Sequence, residues 1–237
     1  MKKSVLIGIT IFLFGIIAFL FLPIFNIQQL IVSGNNFVSQ DKISDTISFG
    51  TGKNIFLFNK HEAKKKLLKN YFISDAKIKI VLPNTISVQI KERNPCCYIK
   101  FLNDSFVLID NEGFVIEVAK ACDKNFPLVD GINFDSFIVG KNLEVKNKDS
   151  FETAIKLANI ITKNKIEKIS VLIDISDING IHLYVKNIDI IFGNIADCEQ
   201  KISLLKSILD SNSDYLDKTG TLDLQNINTL PVFKFIT

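Results

Sequence analysis

The sequence predicts an α+β protein: a single N-terminal transmembrane helix, a small β-α-α-β-β domain, and a mixed β-domain with two helices. Three observations predict this. Val5 to Ile24 is an uncharged run in which only Thr10 is polar. Ile78, Ile80 and Leu82, then Ile86, Val88 and Ile90, alternate with mostly polar residues around Pro83-Asn84. Beyond Pro95, short strand-like segments recur between turn residues, interrupted by two stripes of helical period.

The apolar run comes first. A helix rises 1.5 Å per residue, so about twenty residues span the roughly 30 Å hydrocarbon core. Val5, Leu6, Ile7, Phe12, Phe14, Ile17, Phe19 and Leu22 are its large lipid-facing residues. Such side chains each favour insertion by roughly 0.3–0.6 kcal/mol. A cleaved signal peptide has an apolar core of only about 7–15 residues before a small-x-small site. This run is longer and leaves through Leu22-Pro23-Ile24-Phe25-Asn26. An uncleaved anchor over 5–24 is expected. Lys2 and Lys3 place residues 1–4 in the cytoplasm and residues 25–237 outside it.

Residues 26–33 read as a strand ending at Gly34-Asn35-Asn36. Ser39 caps an expected helix to about Phe49, with Ile43 and Ile47 inward. Asn59 caps a second, His61 to Tyr71, with Ala63, Leu67 and Leu68 inward. Its Lys64, Lys65 and Lys66, with Lys69, read as a solvated face in preference to a lipid contact. The alternation about Pro83-Asn84 is a hairpin with one buried face. Pro95 lacks a backbone donor and marks a boundary.

Strands are then expected at Tyr98–Leu102, Phe106–Ile109 and Phe114–Val118, the first two joined at Asn103-Asp104. Pro127 to Gly131 is a short extended piece. A helix over Ser150–Asn164 has Asp149 and Glu152 as a capping box, with Ala154, Leu157, Ala158 and Ile161 as its stripe. Strands follow at Ile169–Ile173, Ile181–Val185 and Ile188–Phe192. Asp197 and Gln200 open a helix to about Leu209. Thr221–Gln225 is the last expected strand, followed by a tail from Ile227.

Little here carries chemistry. A formal net charge of +3 does not argue for nucleic acid. His61 and His182 read as surface residues. No nucleophile elbow, P-loop, zinc-protease or dinucleotide motif occurs, so neither an enzyme nor a small-molecule substrate is expected. Asp174, Asp177, Asp189 and Asp223 fall near strand ends, where aspartate is common in turns. Cys96, Cys97, Cys122 and Cys198 lack metal-ligand spacing, and no cofactor is expected. A disulfide to Cys122 or Cys198 stays open beside four free thiols. What remains is a surface for protein partners, with an unpaired edge at the late strand as one candidate and an edge covered by the tail as the other.

Seven pieces, in order, resemble the FtsQ/DivIB family of bacterial cell-division proteins. They are Val32-Ser33-Gly34-Asn35 to Ile43; Gly52-Lys53-Asn54-Ile55-Phe56; and Leu82-Pro83-Asn84-Thr85-Ile86-Ser87-Val88 leading to Glu92-Arg93-Asn94-Pro95. Leu108-Ile109-Asp110 with Gly113, Phe126-Pro127-Leu128 with Gly131, Ile191-Phe192-Gly193 with Lys201, and Gly220-Thr221-Leu222-Asp223-Leu224 complete them. The resemblance implies a POTRA domain over 25–93 and a β-domain over 94–237. It implies a non-catalytic scaffold at the division septum, bound to FtsB/DivIC-like and FtsL-like partners. It places that contact by strand addition at Thr221, Leu222, Asp223, Leu224, Gln225, Asn226, Ile227 and Asn228, helped by the Cys198–Leu209 helix. The POTRA domain is implied to touch other division proteins near the membrane. Gln225 stands where the family usually has arginine, and the segment before the anchor is shorter than in many members. The alternative is a POTRA-bearing secretion or envelope-assembly factor. It is disfavoured because the length after residue 95 does not fit a transmembrane barrel.

Overall fold

The computed structural model describes residues 2–102, 105–164, 166, 171–211 and 216–235. The expected Asn103-Asp104 turn, the start of the Ile169–Ile173 strand and the last two residues of the tail lie outside them. The chain divides into two compact units, 1–93 and 94–237.

Helix α1 (Lys2–Leu20) is long and apolar enough to cross a membrane, with none of its 3–20 window buried against protein. Its nineteen residues extend about 28 Å. The helix ends before the expected Ile24. Pro23 disfavours the α conformation in Leu22, which is extended at φ −61° and ψ 145°. Leu22 therefore stands outside the helix, and a short 3₁₀ turn, Pro23–Phe25, follows.

β1 (Gln29–Ser33), α2 (Gln40–Thr46), α3 (Lys60–Leu67), β2 (Ile73–Val81) and β3 (Thr85–Glu92) complete the first unit. The sheet order is β1-β3-β2, with β1 parallel and β2 antiparallel to β3. Ile86, Val88 and Ile90 of β3 face Ile43, Ile47, Ala63 and Leu67 from the helices. Ser39 and Asn59 cap as expected, accepting from the Lys42 and Glu62 amides. Both helices are shorter than expected, closing at Thr46 and Leu67.

Glu92 closes this unit. One carboxylate oxygen accepts from the Asn36 and Phe37 amides at 2.9 and 2.8 Å, and the other from Val38 at 2.8 Å. The end of β3 thereby holds the loop that feeds α2. Gly34 begins that loop at φ +79°, and a Cβ there would lie 2.2 Å from the Ile90 carbonyl oxygen. Only glycine fits both the backbone and the space.

The second unit is a nine-stranded sheet among the described residues, in the order β12-β11-β10-β9-β8-β7-β4-β5-β6. Its elements are β4 (Pro95–Phe101), β5 (Ser105–Asp110), β6 (Val115–Ala119), β7 (Leu128–Asp130), α4 (Lys148–Lys163), β8 (Val171–Asp174), β9 (Ile181–Val185), β10 (Ile188–Gly193), α5 (Cys198–Ser211), β11 (Gly220–Asp223) and β12 (Phe233–Phe235). Pro95 opens β4, a position that needs no ladder donor, and the register shifts between Pro95 and Cys97. The short β7 pairs in parallel with both β4 and β8, joining the meander to the later strands. Helices α4 and α5 contribute Leu157, Ile161, Ile202 and Leu205 to a core shared with Val107, Ile173, Leu183 and Ile190. Asn147, not Asp149, is the cap of α4, accepting from the Ser150 amide at 3.1 Å. Asp149 lies in the first turn, where its charge still suits the helix dipole. Asp197 precedes α5 at φ +52°, away from the extended backbone of a usual N-cap. The cysteines are free thiols.

Replacing Glu92 with Ala removes a charged acceptor from three amides and should destabilise the first unit by about 2 kcal/mol. Glu92→Gln keeps one carbonyl oxygen and should lose less. Chemical denaturation of the full chain in detergent measures both.

Candidate protein-interaction edge

The late strand expected to carry the partner contact is β11. It runs parallel to β10, from Ile188 opposite Gly220 to Ile191 opposite Asp223, and the Leu224 amide extends the ladder to the Ile191 carbonyl at 2.9 Å. Leu222 and Leu224 are buried in the core, while Asp223 is exposed. Thr221–Leu222 therefore belong to the sheet rather than to a free surface.

Of the edge expected at Thr221–Asn228, the part at Thr221–Leu222 is covered. β12 pairs antiparallel with β11, with Phe235 opposite Gly220, Lys234 opposite Thr221 and Phe233 opposite Leu222. The physical reason is local. The Asp223 carboxylate accepts from the Gln225 amide and the Asn226 side chain from the Asn228 amide, so 225–229 turns the chain back. Pro231 then leads into Phe233-Lys234-Phe235, whose period-two alternation was the available sequence signal for this strand. Gln225, Asn226, Ile227 and Asn228 form the turn, and all but the half-buried Ile227 are exposed.

Gly220 decides how closely β12 approaches. An added Cβ would lie 2.5 Å from the Phe233 ring and 2.6 Å from the Lys234 carbonyl oxygen. Phe233 packs on the core and meets Phe235 edge-on, with centroids 4.7 Å apart. Lys218 sits 5.0 Å over the Phe235 ring. Apolar surface continues outward, because Leu230 is 91% exposed and Val232 58%.

Behind this edge, Lys201 is buried in the first turn of α5. Its ammonium donates to the carbonyls of Phe192 and Asn194 at 2.9 and 3.0 Å and lies 4.8 Å from the Phe192 ring centroid. Burial lowers its pKa from the usual lysine range, and Asp197 opposes that shift. Lys201 thus pins the end of β10, where β11 must pair. Gln225 lies against the same corner, its Cγ 3.2 Å from where a Gly193 Cβ would stand. The α5 residues expected to help a partner divide by face. Ile202, Leu205 and Leu209 are consumed by the core, leaving Glu199, Gln200, Ser203 and Ser207 exposed.

The anchor residues Val5, Leu6, Ile7, Phe12, Phe14, Ile17 and Phe19 are all exposed around α1. His182 lies across β9 and β10 from Asp189, its Nδ1 2.7 Å from a carboxylate oxygen, as a half-buried surface pair.

A family model described as a POTRA domain, FtsQ-type, matches residues 25–93. Cell division protein DivIB of Clostridium tetani is 33% identical over 189 residues, covering 79% of this chain and 71% of the relative. Cell division protein DivIB of Clostridium botulinum strain Hall is 30% identical over 229 residues, covering 94% and 87%. The chain belongs to the FtsQ/DivIB family of cell-division proteins. Cell division protein FtsQ of Syntrophotalea carbinolica extends the similarity at 23% identity over 68% of this chain. FtsQ/DivIB membership supports a role in the division machinery with other division proteins as partners. Together with α1 it supports a bitopic membrane protein at the division site.

Gly220→Val should lift β12 from β11 and leave the core strands in place. Amide hydrogen exchange should speed up at 233–235 and stay unchanged in β5. Lys201→Met leaves the Phe192 and Asn194 carbonyls without their donor and should cost about 1–3 kcal/mol, read as a lower melting temperature.

Proposed function

We propose that this FtsQ/DivIB member is a non-enzymatic scaffold linking early and late division proteins, and that it captures FtsB/DivIC-like and FtsL-like partners at the C-terminal end of its second sheet. The observation that carries the reading is the position of β12. It is three residues long, stands last in the strand order, and is preceded by the exposed Leu230 and Val232. An extended partner segment laid along it would gain backbone hydrogen bonds, and the apolar side chains would select its register. The turn Gln225–Asn228 flanks the same site. With Gln225 in place of the usual arginine, the contact relies on backbone and apolar surface more than on a salt bridge. Lys2 and Lys3 orient α1 so that both units lie outside the cytoplasm, and the POTRA unit meets other division proteins near the membrane.

The test is capture of an FtsB/DivIC-like partner by the full chain in detergent. Val232→Asp and Leu230→Asp together should weaken capture at least tenfold while the melting temperature holds. Undiminished capture by this pair and by a chain ending before β12 would sink the proposal.

A further inference from the structure

The first unit presents a face of apolar and basic side chains beside the end of α1. The Asn54 side chain donates to the Leu20 carbonyl at 2.7 Å, and its own oxygen accepts from the Phe56 amide at 3.0 Å. Phe19, Phe25 and Phe56 make a chain of rings with centroids 5.4 and 5.2 Å apart. The anchor therefore passes into the folded unit without a free linker. Asn54 also lines a cavity of about 320 Å³, together with Ile27, Lys53, Leu57, Glu62 and Lys66.

Through Asn54 that cavity adjoins the end of α1, and so lies close to a bilayer surface if α1 spans the membrane, a reading on which this inference rests. The apolar surface here is unusual for a water-facing loop: Leu57, on the cavity lining, is 70% exposed and the adjoining Phe56 44%. Phe21, Leu22 and Ile24, just past the helix, are exposed as well. The neighbouring charge is basic. Lys60, Lys64, Lys65, Lys66 and Lys69 stand on or just after α3, against the single Glu62 of that helix. Lys64 pairs with Asp75 and Lys66 with Glu62, so part of this charge is already compensated. Exposed apolar side chains under a basic rim, joined to a membrane helix, match the boundary between acyl chains and anionic headgroups.

We propose that this face docks on anionic phospholipid. Phe56 and Leu57 enter the acyl boundary, and Lys53 and Lys66 at the cavity receive a headgroup phosphate. Of the lysines expected from sequence to be a solvated face, Lys66 thus acquires a lipid partner at the cavity.

The chain contains no tryptophan, so Leu57→Trp adds a single fluorescent reporter. The full chain is placed in nanodiscs of brominated phosphatidylglycerol or brominated phosphatidylcholine. Lys91→Trp, exposed at the end of β3 opposite the Asn84 turn that meets Gln28, serves as the distant reporter. The expected result is at least threefold stronger quenching at position 57 than at 91, stronger in phosphatidylglycerol than in phosphatidylcholine. Adding Lys53→Gln and Lys66→Gln should remove that lipid preference. Equal quenching at 57 and 91, or quenching indifferent to both lipid charge and the two lysines, overturns the proposal. A blue-shifted but unquenched reporter at 57 indicates a protein occupant and overturns it too. Release of the chain from the disc sinks the spanning reading itself, whereas a retained chain with an unquenched reporter sinks this proposal alone.

Discussion

The structure depends first on what α1 cannot do alone. Its apolar side chains are left uncovered by protein among the described residues, and its length and composition suit a bilayer. Its last carbonyls also need donors, as at any helix end. Asn54 supplies one to Leu20 while capping the 3₁₀ turn Ile55–Leu57 with its other atom. One side chain thereby couples the end of the apolar helix to the folding of the POTRA unit. The Ile27 amide, donating to the Lys53 carbonyl at 2.8 Å, strengthens the join.

The second unit is shaped by a different constraint, the need to finish a long sheet. Burial of Ile190 and Phe192 makes β10 a central strand, and Lys201 secures its end by neutral hydrogen-bond acceptors rather than by an ion pair. β11 then adds in parallel, and β12 returns over Gly220. Sheet ends invite further strands, and proteins commonly shorten or charge them to prevent unwanted pairing. Here β12 is short and carries Lys234, yet Leu230 and Val232 beside it stay exposed. That combination suits a selective contact better than indiscriminate aggregation.

Much of this was legible in the residues. Period-two alternation around Pro83-Asn84 marked β2 and β3, because one buried face leaves a clear pattern. Ser39 and Asn59 announced their helices because capping is local chemistry. The nine-stranded continuity of the second sheet was not legible, since parallel pairings such as β7 with β4 and β8 join residues far apart. The choice of Asn147 over Asp149 could not be made from sequence, as both residues are good caps two positions apart. The covered edge was one of two readings left open, undecided because Phe233–Phe235 is too short to stand out and its partner, Gly220, reads as a turn residue. Lys201 stood in the family pattern with Ile191-Phe192-Gly193, but only folding brings it to the two carbonyls. Asn54 gave no hint of its reach to Leu20, thirty-four positions earlier.

The most direct test of the central claim is amide hydrogen exchange on the full chain in nanodiscs, with and without an FtsB/DivIC-like partner. Exchange at 232–235 should slow at least tenfold on partner addition, with β5 and β6 unchanged. Protection confined to the POTRA unit, with none at 232–235, would contradict the account.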